Sequence, residues 1–260
     1  MASTPTILVF DSGLGGLTVH RAVASARPDA SYIYVADDAF FPYSAHDEAA
    51  LVERVVALMA TLIETHRPDL VVIACNTAST LVLPQLRAHF AVPFVGTVPA
   101  IKPACAASVS KRVSVLGTEA TVSREYTRAL IRDFANGADV TLVGSARLAG
   151  YAEAELNGAP AEDAAIAAEI APCFIDREGR RTDTIVLACT HYPLLLKRFE
   201  RLAQWPVSFH DPAPAIARRV VDLVGAPEHN RAPPAHFVST SRRPPSPALA
   251  VALARFGIGP

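Results

Sequence analysis

The chain contains one segment twice. Asp69-Leu-Val-Val-Ile-Ala-Cys75 and Asp183-Thr-Ile-Val-Leu-Ala-Cys189 each pass from an aspartate through a five-residue, largely apolar run to a cysteine, 114 positions apart. An unbroken apolar, β-branched run reads as a strand buried on both faces of a parallel sheet. Its recurrence means that the second half of the chain repeats the fold of the first. The other strand-like runs obey the same scheme: Ile7–Phe10, Tyr32–Val35 and Val92–Val95 precede the midpoint, and Val113–Leu116, Val140–Val143 and Val207–Phe209 follow it.

Helix-patterned stretches lie between these runs. Asp47–His66 is the clearest, with Leu51, Val55, Leu58, Met59 and Leu62 on one face. The expected fold is therefore α/β, with two similar lobes related by internal duplication. Each lobe is a mainly parallel sheet flanked by helices, and the site lies in the cleft between them. The expected division is 1–98 plus 212–260 for the first lobe and 99–211 for the second. After Asp211 the pattern changes. Pro212–Gly225 suits a helix, Glu228–Pro247 reads as an exposed extended connection rich in Pro, Arg and Ser, and Ala248–Phe256 suits a short closing helix. This tail is expected to fold back onto the first lobe.

Composition narrows the function. Of the 260 residues, 51% are hydrophobic and 19% charged, which excludes a disordered chain. The net charge of -1, without a block of like charges, gives no footprint for nucleic acid or an anionic membrane. The longest apolar stretch, near Val55–Ile63, falls far short of the ~20 residues that span a bilayer. The N-terminus has neither the basic nor the apolar region of a secretory signal, so a cytoplasmic protein with reduced thiols is expected. Four cysteines with no C-x-x-C pair make neither a disulfide framework nor a metal site. Gly13-Leu-Gly15-Gly16 does not match the dinucleotide fingerprint G-x-G-x-x-G.

Chemistry is expected at the carboxyl ends of the strands, where Asp11, Cys75, Thr118 and Cys189 fall. Asp11-Ser-Gly-Leu-Gly-Gly-Leu-Thr18, Cys75-Asn-Thr-Ala-Ser79 and Cys189-Thr-His191 place hydroxyls, amides and free backbone N–H groups at helix starts, where they bind carboxylates. A lone strand-end cysteine is ordinarily a small buried hydrophobe, and Cys105 and Cys173, among alanines, are read that way. Two cysteines at equivalent positions of duplicated lobes are different. Inversion at a C–H carbon needs a base on one face and an acid on the other. A thiol, with a reference pKa of ~8.5, serves as either near neutral pH. Asp11 beside Cys75 and His191 beside Cys189 are the expected partners that adjust those protons. The alternatives are an enzyme that relies on one cysteine, a two-lobed binding protein without chemistry, and a thiol hydrolase built on Cys189 and His191.

With these residues in view the chain resembles the glutamate racemases of the cofactor-independent aspartate/glutamate racemase superfamily. The resemblance rests on Phe10-Asp-Ser-Gly-Leu-Gly-Gly-Leu-Thr18, Pro42-Tyr43, Ala74-Cys-Asn-Thr-Ala-Ser79, Gly117-Thr118 with Thr121, and Leu187-Ala-Cys-Thr-His-Tyr-Pro-Leu-Leu195. It implies interconversion of L- and D-glutamate to supply peptidoglycan, by a homodimer with no metal or other cofactor; the alternative is a racemase, isomerase or decarboxylase of the same superfamily acting on aspartate or another small acid. It implies Cys75 and Cys189 as acid/base thiols, with Asp11 and His191 as auxiliary groups. Asp11, Ser12, Pro42, Tyr43, Ser44, Asn76, Thr77, Thr118, Thr121, Thr190 and His191 are implied to bind the amino acid. The chain departs from the family pattern at Asp38 (usually Thr), at Ser44 (usually Gly) and at Gly96-Thr-Val-Pro99 (usually Gly-Val-Ile-Glu-Pro). Glu153 and Glu155 are rival candidates for the family's auxiliary glutamate. With no extension ahead of the first strand, regulation by a cell-wall precursor is not expected.

Overall fold

Strand β1 (Thr6–Asp11) shows how each sheet is buried: Ile7 and Val9 enter one core cluster, while Leu8 and Phe10 enter another on the opposite face. A strand with apolar side chains on both faces needs cover on both sides, and the intervening helices supply it. The computed structural model describes residues 4–227 and 233–259. In the first half β1 is followed by α1 (Leu17–Ala26), β2 (Ser31–Ala36), α2 (Glu48–His66), β3 (Leu70–Ile73), α3 (Asn76–His89) and β4 (Phe94–Gly96). The second half runs α4 (Ile101–Ala107), β5 (Arg112–Gly117), α5 (Glu119–Ser123), α6 (Glu125–Phe134), β6 (Asp139–Gly144), α7 (Leu148–Leu156) and α8 (Asp163–Ile170). A small hairpin, β7 (Asp176–Arg177) with β8 (Arg180–Arg181), then leads to β9 (Thr184–Ala188), α9 (Leu196–Leu202) and β10 (Ser208–His210). The tail holds α10 (Ala213–Val224), β11 (His236–Ser239) and α11 (Pro247–Arg255).

The two main sheets are parallel throughout, in the orders β11-β2-β1-β3-β4 and β10-β9-β5-β6. Read from its other edge, the second sheet is β6-β5-β9-β10, which repeats β2-β1-β3-β4 strand for strand. Strands β3 and β9, which carry the repeated segment, are therefore equivalent, and both are buried throughout. Two lobes with one topology follow. Helices α1 and α10 cover one face of the first sheet and α2 and α3 the other. Cys105 and Cys173 lie in the two cores of the second lobe, away from the cleft, with Cys173 in a single 3₁₀ turn rather than a longer helix.

Strand and helix limits agree with the sequence pattern to within a residue or two. Asp47, the first residue of the expected helix, is its N-cap and accepts from Ala50 N at 2.9 Å. The tail differs more. Part of the expected extended connection, Glu228 to 232, falls outside the described residues, but His236–Ser239 is not an exposed linker. It forms β11 and pairs with β2 from His236↔Ile33 to Ser239↔Ala36. Phe237 stacks on Tyr34 with ring centroids 6.1 Å apart. Four residues between proline-rich flanks are too few to show a period, yet an edge strand needs no more. Among the described residues no helix is long and apolar enough to cross a membrane.

Candidate active site

Parallel strands direct their carboxyl ends one way, and the two sheets present those ends to each other across the space between the lobes. Cys75 follows β3 and caps α3, and Cys189 follows β9. Both thiols line one small cavity and are nearly buried, at 5% and 6% exposure. The first lobe adds Ser12, Asn76 and Thr77, together with Pro42, Tyr43 and Ser44 from the loop after β2; the second adds Thr118, Thr190 and His191. The cavity is closed down to about 20 Å³, room for roughly one water molecule. Larger hollows lie beside His20 and Phe256 and beside Lys197 and Arg255, but neither is lined by a thiol.

Two expected residues sit just behind the wall. Asp11 is fully buried, accepts from Gly13 N at 3.0 Å and receives Thr190 Oγ1 at 3.2 Å from the other lobe. Thr121 joins Thr77 and Thr118 in a triangle of hydroxyls, 3.3 Å from Thr77 and 2.9 Å from Thr118, that also crosses the interlobe boundary. Asn76 is the most open-handed member. It is 2% exposed, and neither its Oδ1 nor its Nδ2 has a hydrogen-bond partner among the described residues. A buried amide left unpaired costs about 1–3 kcal/mol, so Asn76 is a candidate partner for a polar group bound in the cavity.

The two thiols have different neighbours. Burial pushes the Cys75 thiol up to about 12; the charge of Asp11 acts in the same direction, against hydrogen bonds from Ala78 N–H and Ser12. Cys189 Sγ lies 3.8 Å from His191 Nδ1, and His191 Nε2 lies 2.7 Å from Glu153 Oε1. Burial works against the imidazolium, but Cys189 and Glu153 outweigh it and hold the His191 pKa well above the usual value. Burial also raises Asp11, opposed by the charge of His191 and by Gly13 and Gly16 N–H. Glu153 Oε1 further accepts from Leu14 N at 2.6 Å, tying α7 to the glycine turn.

That contact explains the glycines. A Cβ on Gly13 would lie 2.3 Å from Glu153 Oε1, and one on Gly15 would lie 2.4 Å from His191 Nδ1 and 2.7 Å from His191 N. The turn has no side chains there because Glu153 and His191 of the second lobe occupy the space. Of the rival glutamates, Glu153 reaches the site, whereas Glu155 points away to Arg198 at 3.0 Å. Phe41 and Ala149 also line the cavity, and the sequence carried no polar signal for either. Among the described residues no group of three or more His, Cys, Asp or Glu side chains is arranged to hold a metal ion.

Fold and site together define a two-lobed α/β protein that offers one thiol from each lobe to a common cleft. A family model described as Asp/Glu/hydantoin racemase matches residues 17–220. Glutamate racemases of Brucella anthropi and Sinorhizobium fredii are 57% and 56% identical, over 84% and 85% of this chain and 79% and 83% of theirs. Among solved structures, Escherichia coli glutamate racemase in complex with L-glutamate and the activator UDP-MurNAc-Ala superposes with a TM-score of 0.90. It is 40% identical, covering 98% of this chain and 96% of that one. The Aquifex pyrophilus glutamate racemase gives 0.68 at 27% identity, over 96% and 94%. The chain belongs to the Asp/Glu/hydantoin racemase family.

Proposed function

We propose that this protein interconverts L- and D-glutamate by exchanging the α-proton between Cys75 and Cys189. The observation that carries this is the placement of the two thiols at the ends of equivalent strands, facing one cavity from opposite lobes. One thiolate takes the α-proton from its face, and the opposite thiol gives its S–H proton to the other face. The C–H bond broken and the C–H bond formed leave thiol and thiolate exchanged, so the reverse reaction starts from the opposite arrangement. Asp11 and Ser12 serve Cys75, and His191, held by Glu153, serves Cys189.

Among the described residues no Lys or Arg lines the cavity. The substrate carboxylates are held instead by Asn76, by the hydroxyls of Ser12, Thr77, Thr118 and Thr190, and by N–H groups at the start of α3, with Thr121 behind the wall orienting Thr77 and Thr118. Pro42, Tyr43 and Ser44 close the side toward β2. A turnover on the order of 10 s⁻¹ corresponds to a barrier of about 16 kcal/mol. Fixed dipoles in a dry cavity are the means available for stabilising carbanion character at the α-carbon. The same reading divides the chain into lobes 1–98 plus 212–260 and 99–211. It makes the enzyme a cytoplasmic homodimer that supplies D-glutamate for peptidoglycan.

L-Glutamate incubated in D₂O tests the mechanism. Two bases give deuterium in the D-product and little in recovered L-glutamate; early label in both pools means one exchangeable base and defeats the proposal. Aspartate, run in parallel, checks the substrate.

A further inference from the structure

The tail grips the loop that closes one side of the cavity. Beyond β11, Thr240 N continues the ladder to Ala36 O at 3.0 Å, which brings Ser239, Thr240 and Ser241 against the Asp37-Asp38-Ala39 turn. Asp37 is fully buried. Its carboxylate receives Tyr43 Oη at 2.8 Å, Thr240 Oγ1 at 2.6 Å and Arg54 at 2.7 and 3.1 Å. Thr240 Oγ1 also accepts from Ala39 N at 3.2 Å. Asp38, where the family usually has threonine, receives Ser241 N at 2.9 Å, Ser241 Oγ at 2.5 Å and Ser239 Oγ at 2.8 Å. These bonds hold a turn from which the chain runs directly into Pro42, Tyr43 and Ser44 on the cavity wall.

We infer that Thr240 and Asp38 are positioning residues for substrate binding: through Asp37 and the 37–39 turn, the C-terminal tail fixes where Tyr43 and Ser44 meet the amino acid. Neither touches the cavity. Thr240 acts through the Asp37 carboxylate, which is fully buried, so losing the Thr240 hydroxyl leaves one acceptor position empty and frees Tyr43 to move; Asp38 acts through Ser239 and Ser241, which anchor the same turn. Burial opposes charge on Asp38, yet the bonds from Ser241 and Ser239 outweigh it and hold its carboxyl below the usual value, so the grip persists across neutral pH. The remote thiols are untouched. The expected signature is therefore weakened binding with little change in the chemical step.

The inference rests on glutamate as substrate, and its test separates the two. Thr240→Val and Asp38→Ala are compared with Thr240→Ser and Asp38→Asn, which keep a hydroxyl donor and a carbonyl acceptor. Amide hydrogen exchange across residues 37–46 reads the grip without any substrate, and steady-state racemisation reads its consequence. The first pair is expected to exchange faster there and to raise KM for glutamate roughly tenfold with kcat within about twofold; the second pair is expected to stay near wild type. Unchanged exchange overturns the inference. So does faster exchange with unchanged KM, or with kcat falling as much as KM rises. If a single variant fails to fold, Ser241→Ala reads the same two quantities. A wild-type protein inert toward glutamate defeats the function proposed above, and exchange alone then decides the grip.

Discussion

Burial keeps Cys75 protonated in the resting protein, and the charge of Asp11 acts in the same direction. With its pKa near 12, the thiolate fraction at pH 8 is roughly a thousandfold below that of an ordinary cysteine. Iodoacetamide, mapped by mass spectrometry between pH 7 and pH 10, is therefore expected to modify Cys75 far more slowly than a free thiol peptide. Labelling at the peptide's rate would remove the asymmetry between the two sulfurs. The sign for stability follows. The folded state holds this proton more tightly than the unfolded chain, so the contribution is complete below the unfolded value, near 9, and is lost as pH climbs toward about 12. Cys189 is set apart by its company: a histidine at 3.8 Å whose far nitrogen is tied to a carboxylate. A single sequence shows Cys189 and His191 two positions apart but not their contact. It shows nothing to choose Glu153 over Glu155, since two residues along a helix point to different faces only once the helix's orientation is known.

Elements whose burial follows a period were legible, and elements whose role is to touch something distant were not. Each strand of the repeated segment announced itself as an unbroken apolar run, and α2 by its spaced leucines and valines, because those patterns are the direct imprint of two-sided and one-sided burial. β11 left no such imprint. Its four residues are fixed by the vacant edge of β2 and by Tyr34 beneath Phe237, both supplied by sequence about 200 positions earlier. The glycine turn lies between these cases: its small residues were visible, but their reason, the approach of Glu153 and His191, belongs to the other lobe. Substituting one of these glycines measures that approach. Gly15→Ala places a methyl 2.7 Å from a backbone nitrogen, which cannot swing aside as a side-chain end can. It is expected to cost about 1–3 kcal/mol and to displace His191 from Cys189, lowering both the melting temperature and kcat. Gly150→Ala, inside α7 with nothing within 4 Å of the new methyl, is the control; it is expected to be neutral or stabilising by up to ~1 kcal/mol. Equal behaviour of the two variants would show that the turn does not pack as tightly as this.

Across the whole molecule the cavity between the thiols is too small for its proposed ligand. About 20 Å³ stands far below the ~300 Å³ and more of ordinary small-molecule sites, so the cavity walls, whether the lobes or the 41–44 loop, must move apart to admit an amino acid. The contacts between the lobes include Thr190 Oγ1 to Asp11, Thr18 Oγ1 to Thr190 O at 3.4 Å, Leu14 N to Glu153, the hydroxyl triangle and Ser246 Oγ to Asn157 at 3.2 Å, with Phe41 and Leu156 packing across the boundary. Arg124, the N-cap residue of α6, adds a further set. It reaches across to Thr77 O, to Thr80 Oγ1 at 2.6 Å and to Glu48 at 3.2 Å. The Arg124 side chain is 11% exposed but that of Glu48 is 65% exposed, so this ion pair is a surface one worth about 0–1 kcal/mol, and the latch rests on the bonds to Thr77 and Thr80. Thr77 is also a wall residue, so the latch and the binding site share a backbone carbonyl. Arg124→Ala removes the latch while leaving both thiols and their partners in place. If the closed form binds substrate, apparent affinity falls with the fraction of molecules closed, and KM rises severalfold. Amide exchange at the start of α3 is expected to quicken in the absence of glutamate and to return toward the wild-type rate when it is saturating, because bound substrate restores closure. A variant with unchanged KM and unchanged exchange would show that closure is held by the buried contacts alone and that Arg124 merely decorates the rim.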